Sequence, residues 1–256
     1  MRFSSYLKSS KYWVKSRVLA LSPAFYWNTR RALRGVWERE ILMLPALCKK
    51  HALAVDIGAH FGMYTHELRE CAARVEAFEP IPALARVLRK GYQGDARVTV
   101  HAVALSDGDG EVALRVPRAG WGRSTIETSN RLEGRRDPTA PIDTVKVAMR
   151  TLDSYALANV GFIKMDVEGH EVAVLRGALA TLEREHPALL IEIEERHRPG
   201  EGDSVQTLLA PLGYGVYQCD GVGITTARVT ASNNYLFLTP AHLVALGSQG
   251  VRIQTS

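Results

Sequence analysis

Leu53-Ala54-Val55-Asp56-Ile57-Gly58-Ala59-His60-Phe61-Gly62-Met63-Tyr64-Thr65 is the stretch from which the rest of this 256-residue chain can be read. A short run of strand character enters a loop bounded by Gly58 and Gly62, and a helix is expected from about Tyr64 to Ala73. Glycines in a strand-to-helix turn let backbone approach a bound nucleotide-like ligand. The spacing is not G-x-G-x-x-G, because His60 occupies the place of the second glycine. That glycine lets a chain close on a pyrophosphate, so a nicotinamide or flavin dinucleotide is disfavoured. A G-x-x-x-x-G-K-[ST] phosphate loop is also missing from the sequence.

Outward from this stretch, strands and helices alternate. Val75–Phe78 reads as a second strand, Pro82 opens a helix that stops near Gly91, and Val98–Leu105 reads as a third strand. Ser106-Asp107-Gly108-Asp109-Gly110 signals a turn before a strand over Glu111–Val116. Residues 117–142, rich in Arg, Gly, Pro, Ser and Thr, read as a surface loop or lid. Strands are expected again over Val145–Leu152, Phe162–Asp166, Leu189–Ile193, Tyr214–Gln218 and Tyr235–Leu238, with helices after Asp166 and over Val205–Leu212. Such alternation predicts an α/β fold, a doubly wound, mostly parallel sheet whose ligands bind beyond the carboxyl ends of the strands.

Two further sites fall at such ends. Glu79 follows the second strand, 21 residues beyond Gly58, where an acid can accept the hydroxyl protons of a ribose. Ser106 and Asp107, after the third strand, would then flank the base. The third site is Lys164-Met165-Asp166-Val167-Glu168-Gly169-His170-Glu171. Together with Glu192, Glu194 and Glu195 on the next strand, it gathers mutually repelling carboxylates. Such a gathering suits a cation, a proton transfer or a positively charged ligand. Glu171 is read as favourable to a helix dipole, whereas Asp166 and His170 are read as functional.

These segments, with Arg150-Thr151-Leu152-Asp153 and the run IKMDVEGHEVAVLRG over residues 163–177, resemble the FkbM family of S-adenosylmethionine-dependent methyltransferases. The resemblance covers about residues 52–240, and His60 departs from the Asn common in the family. It implies a class I, Rossmann-like methyltransferase sheet with a final antiparallel strand. It also implies S-adenosylmethionine as cofactor and methyl transfer, usually to a hydroxyl oxygen of a glycan, polyketide or similar small molecule. On that footing Asp56, Gly58, His60, Gly62, Thr65, Glu79, Ser106 and Asp107 are the expected cofactor-binding residues. Asp166, Glu168 and His170 are the expected catalytic ones, any of which would serve as the base an alcohol acceptor needs. Asp166 with Glu192 or Glu194 would suit a hard cation, but no spacing demands one and no metal site is expected. The contrasting reading is a non-catalytic cofactor-binding or partner-docking module on the same scaffold.

Residues 1–50 stand apart as a basic helical extension to a domain over 51–256. They hold eleven Lys and Arg against Glu38 and Glu40, while the remainder of the chain is mildly acidic, so nucleic-acid binding by the whole domain loses support. Phe3, Leu7, Val14, Val18 and Leu21 recur at helical spacing until Pro23 interrupts. Docking on the domain or on a second copy is favoured over contact with an anionic membrane surface. The first twenty residues scatter Arg and Lys through their apolar positions, unlike a secretory signal. The three cysteines, Cys48, Cys71 and Cys219, are widely spaced and fit a reducing cytosol. The expected location is cytoplasmic, with membrane-peripheral association as the variant.

Overall fold

The computed structural model describes residues 10–36, 38–118, 121–127, 130, 132, 141–193, 200–229 and 233–254. Along the chain come α1 (Ser10–Leu21), α2 (Pro23–Arg34), α3 (Leu44–Leu47), β1 (Leu53–Ile57), α4 (Met63–Cys71), β2 (Arg74–Phe78) and α5 (Pro82–Gly91). Next are β3 (Val98–His101), β4 (Ala104–Leu105), β5 (Gly110–Pro117), β6 (Ile142–Arg150), β7 (Val160–Met165), α6 (Glu171–Arg176) and α7 (Leu179–Glu185). The last elements are β8 (Ala188–Ile193), α8 (Glu201–Leu209), β9 (Gly215–Cys219), β10 (Gly223–Thr226), β11 (Asn233–Leu238), α9 (Pro240–Ser248) and β12 (Arg252–Gln254).

Strand β1 is buried at every position, as is β7 beside it. Apolar runs without alternation belong at the centre of a sheet covered on both faces. The main sheet has the order β12-β10-β9-β11-β8-β7-β1-β2-β3, and its five strands from β8 to β3 are parallel. Strand β11 enters antiparallel beside β8. The order reverses between β1 and β7, so a crevice opens above the carboxyl ends of β1, β2 and β7. The doubly wound expectation holds.

The third expected strand divides. Val98–His101 completes the main sheet as β3, whereas Ala104–Leu105 leaves it to pair with β6 in a small sheet of order β4-β6-β5. This small sheet carries the segment read as a surface loop or lid. Of its described residues, Trp121, Thr125, Asn130 and Leu132 are each less than 5% exposed, while Arg118, Gly122 and Pro141 are exposed. Trp121 and Thr125 line the crevice, and Thr125 and Asn130 donate to the Glu168 carbonyl.

Helices α1 and α2 pack on the domain rather than standing clear of it. A Cβ added at Gly91, the last residue of α5, would lie 2.5 Å from the Leu19 carbonyl, so α1 reaches α5 where a side chain is missing. Arg31 of α2 donates to Glu67 of α4 at 3.0 Å. The buried side of α1 carries Ser16 and Leu19, while Val14 is 52% and Leu21 78% exposed. The apolar spacing therefore pointed to the wrong face of α1, because the close approach at Gly91 sets its rotation. Phe3 and Leu7 lie outside the described residues, as do Glu194 and Glu195.

Candidate active site

Loop geometry at the crevice begins with Gly58. Its φ is +79°, and an added Cβ would lie 1.9 Å from the Asp166 carbonyl oxygen. Only glycine fits there. The Gly58 and Ala59 N–H groups both donate to the Phe78 carbonyl at 3.0 Å, and the Asp166 N–H donates to the Ile57 carbonyl at 3.0 Å. The ends of β1, β2 and β7 are thereby joined.

Glu79 joins them further. Its Oε2 accepts the His60 N–H at 2.6 Å and its Oε1 accepts the Ile81 N–H at 2.7 Å. Burial raises its pKa to about 8, against the lowering effect of these two N–H donors. Each carboxylate oxygen accepts more than one hydrogen bond, so acceptor capacity toward the crevice remains. Gly58, His60, Glu79, Asp166, Glu168 and His170 all line one cleft of about 670 Å³, counted to its open mouth. Phe78, Leu105 and Trp121 supply apolar wall.

Not every expected residue reaches this space. Gly62 forms the left-handed entry to α4 at φ +77° and lines no part of it. Thr65 is wholly buried and donates from Oγ1 to Asp56 Oδ2 at 2.5 Å, so it acts on Asp56. Ser106 Oγ lies 2.8 Å from His170 Nε2, and exposed Asp107 accepts from Ser106 at 3.2 Å. The Ser106 side chain turns toward His170 rather than into the cleft.

His170 also has Nδ1 at 2.5 Å from Glu127 Oε1. Both ring nitrogens are engaged, which suits a group that fixes the covering segment better than a base open to an acceptor. The same segment is held at the Glu168 carbonyl, which accepts from Thr125 Oγ1 at 3.0 Å and Asn130 Nδ2 at 2.8 Å. Sequence reasoning missed Glu127, Thr125 and Asn130, since bonds across some forty positions leave no local pattern.

A second chamber of about 690 Å³ shares Gly58, His60 and Asp166 with the first. Asp56 and Lys164 are on its floor and Lys15, Trp27, Arg30 and Glu38 on its outer wall. Burial raises the Asp56 pKa, with Lys164 and Thr65 opposing. Burial also works against the Lys164 ammonium. Its carboxylate neighbours, Asp166 foremost at 3.3 Å, outweigh that and hold its pKa above the usual lysine value. Burial and the nearby Lys15 lower the His60 pKa to about 3, leaving a neutral imidazole. Lys164 was legible as a charge inside an apolar strand, but the outer wall was not. Among the described residues no group of three or more His, Cys, Asp or Glu is placed to hold a metal ion. Nor does any described helix have the length and apolarity to cross a membrane.

Comparison with known proteins bears on the family and the fold. The profile of the methyltransferase FkbM domain matches residues 56–218. Methyltransferase 1 of Beauveria bassiana (strain ARSEF 2860) is 28% identical over 182 residues, 63% of this chain and 72% of that protein. A crystal structure of methyltransferase FkbM from Methylobacillus flagellatus KT matches with a TM-score of 0.51 and 19% identity, over 88% of this chain and 58% of that one. The chain thus spans less than two thirds of that relative's length.

Proposed function

Because the chain belongs to the FkbM methyltransferase family, we propose that it methylates a hydroxyl oxygen of a glycan or related natural product, using S-adenosylmethionine. The observation that carries this reading is the meeting of Gly58, Glu79 and Asp166 on one cleft. The residues present fit that cofactor. Glu79 is a buried acceptor at a strand tip, suited to ribose hydroxyls, and a neutral His60 has its Nε2 shielded and without a hydrogen-bond partner beside it. When bound, S-adenosylmethionine supplies an electrophilic methyl group on a sulfonium.

The chain's own part is alignment and proton removal. The loop after β1 and the turn after β7, joined at Gly58 and Asp166, fix the two sides between which an acceptor must lie, and much of the rate enhancement of such a displacement comes from orientation. Asp166 and Glu168 are the carboxylates on the cleft wall that accept the hydroxyl proton, while His170 positions the segment over them. Incubation with methyl-tritiated cofactor and candidate glycans tests the reading: label in an alkali-stable ether supports it, and label only in a carboxyl ester or an amine contradicts the hydroxyl assignment.

A second feature bears on where the acceptor is met. Val14, Leu21, Phe25 and Leu33 are each more than half exposed on α1 and α2, in the part of the chain that carries its basic surplus. Apolar side chains among cations suit the surface of an anionic membrane.

A further inference from the structure

We propose that the second chamber takes the α-amino-acid end of the cofactor, and that the N-terminal helices supply the groups that bind its carboxylate. This inference rests on the cofactor reading above, but concerns residues outside the 56–218 span that the family profile matches.

The argument begins with polar atoms that folding has buried without a hydrogen-bond partner. Three residues lining this chamber carry such an atom: Trp27 (Nε1) on the outer wall, Asp56 (Oδ1) on the floor and His60 (Nε2). Trp27 is 8% exposed and Asp56 1%. Leaving such groups unsatisfied is costly, which marks them as partners for a polar ligand. They also differ in kind. The indole N–H only donates, whereas an ionised carboxylate only accepts.

Charges of both signs line the chamber, but two are already engaged: on the floor the Lys164 ammonium lies 3.3 Å from Asp166, and on the outer wall Glu38 accepts from the Tyr64 hydroxyl at 2.5 Å. On the side of Trp27, the Lys15 ammonium sits 3.7 Å from the Phe61 ring centroid and 5.5 Å from that of Trp27. The Arg30 guanidinium lies 5.8 Å from the Trp27 ring and donates to the Tyr26 hydroxyl at 2.9 Å. These contacts hold two cations at the chamber wall beside an indole donor. On the floor, Asp56 keeps one carboxylate oxygen without a hydrogen-bond partner. A ligand with a carboxylate at one side and an ammonium at the other matches both. Because Gly58, His60 and Asp166 line both chambers, the nucleoside in the first and an amino-acid tail in the second would meet at these shared residues. The extension is on this account a wall of the cofactor site.

Calorimetry on the full chain tests this with two ligands that share a thioether nucleoside. S-adenosylhomocysteine has the amino-acid end and 5′-methylthioadenosine lacks it. In the double variant Lys15→Met with Arg30→Met, affinity for S-adenosylhomocysteine is expected to fall about tenfold or more, with 5′-methylthioadenosine unaffected. Trp27→Phe keeps the ring and removes the donor. It is expected to weaken S-adenosylhomocysteine several-fold while leaving the melting temperature and 5′-methylthioadenosine affinity in place. Equal loss for both ligands, or no loss for either, overturns the proposal. Failure of the unaltered protein to bind either ligand would instead remove the cofactor reading itself.

Discussion

Glu79 accepts the backbone N–H of His60 at 2.6 Å, across nineteen positions of chain. The acid at the tip of β2 therefore shapes the loop after β1 as well as facing the cleft. Its other oxygen takes the Ile81 N–H, so one carboxylate sets two of the three strand ends that build the site. Binding and local architecture are coupled at this residue, and the two effects are separable only by measuring affinity and stability together.

Gly58→Ala is expected to be among the most damaging single changes. The added methyl meets the Asp166 carbonyl at 1.9 Å, with backbone on both sides of the clash and a φ of +79° that disfavours any side chain. A loss of roughly 3 kcal/mol or more is expected from strain and displacement together. Urea denaturation of the two proteins measures it, and a loss under about 1 kcal/mol would contradict the close approach.

Most of this architecture was legible in the sequence, and the physical reason is burial. Strand β1 shows no alternation because both its faces are covered, and its glycine turn and the acid 21 positions on announce the ligand edge. What escaped was set by packing between distant segments. Nothing in the spacing of Val14, Val18 and Leu21 says that α1 turns Ser16 and Leu19 inward, since a glycine in α5 decides it. Lys15, Trp27, Arg30 and Glu38 become site residues only through that rotation and the course of the chain after α2. Similarly, the hydrogen bond between Ser106 and His170 joins residues 64 positions apart and leaves no local pattern.

Asp166→Asn and Glu168→Gln separate the roles on the cleft wall. At least one of them is expected to lower kcat by about 100-fold or more, in line with loss of a general base, with S-adenosylhomocysteine affinity changed less than tenfold. His170→Gln is expected to lower kcat less than that variant, because the ring holds Glu127 and Ser106 rather than the acceptor. Steady-state kinetics with saturating cofactor checks this ordering. A His170 variant slower than both carboxylate variants would reverse the assignment.

Stability is expected to fall as pH rises from about 6.5 to about 8. Burial raises Glu79 and Glu171 to about 8, so the folded chain keeps protons there that the unfolded chain, with carboxyls near 4.5, has released. Folding is then increasingly opposed as pH climbs through that interval. Below 6.5 the half-buried histidines His60 and His242, lowered to about 3 and about 4, act with the opposite sign and offset this trend. Denaturant midpoints at pH 6.5 and 8, without ligand, test it. Glu171→Gln should flatten the slope, and a midpoint that rises with pH in the unaltered protein would contradict it.

The outer face of α1 and α2 makes a separable prediction. The protein is expected to co-sediment with vesicles containing anionic phospholipid, and to be released by salt or by the pair Leu21→Glu and Phe25→Glu. Equal sedimentation with neutral and anionic vesicles, or none with either, would contradict the assignment.

The central claim is that one cleft grips a nucleoside through Glu79. Titration of S-adenosylhomocysteine into the unaltered protein and into Glu79→Ala, by calorimetry, is its most direct test. One-to-one binding weakened about 10- to 100-fold by the substitution is the expected result, as for loss of buried hydrogen bonds to the nucleoside. Binding of equal strength in the two proteins, or no binding to the unaltered chain, would contradict the account.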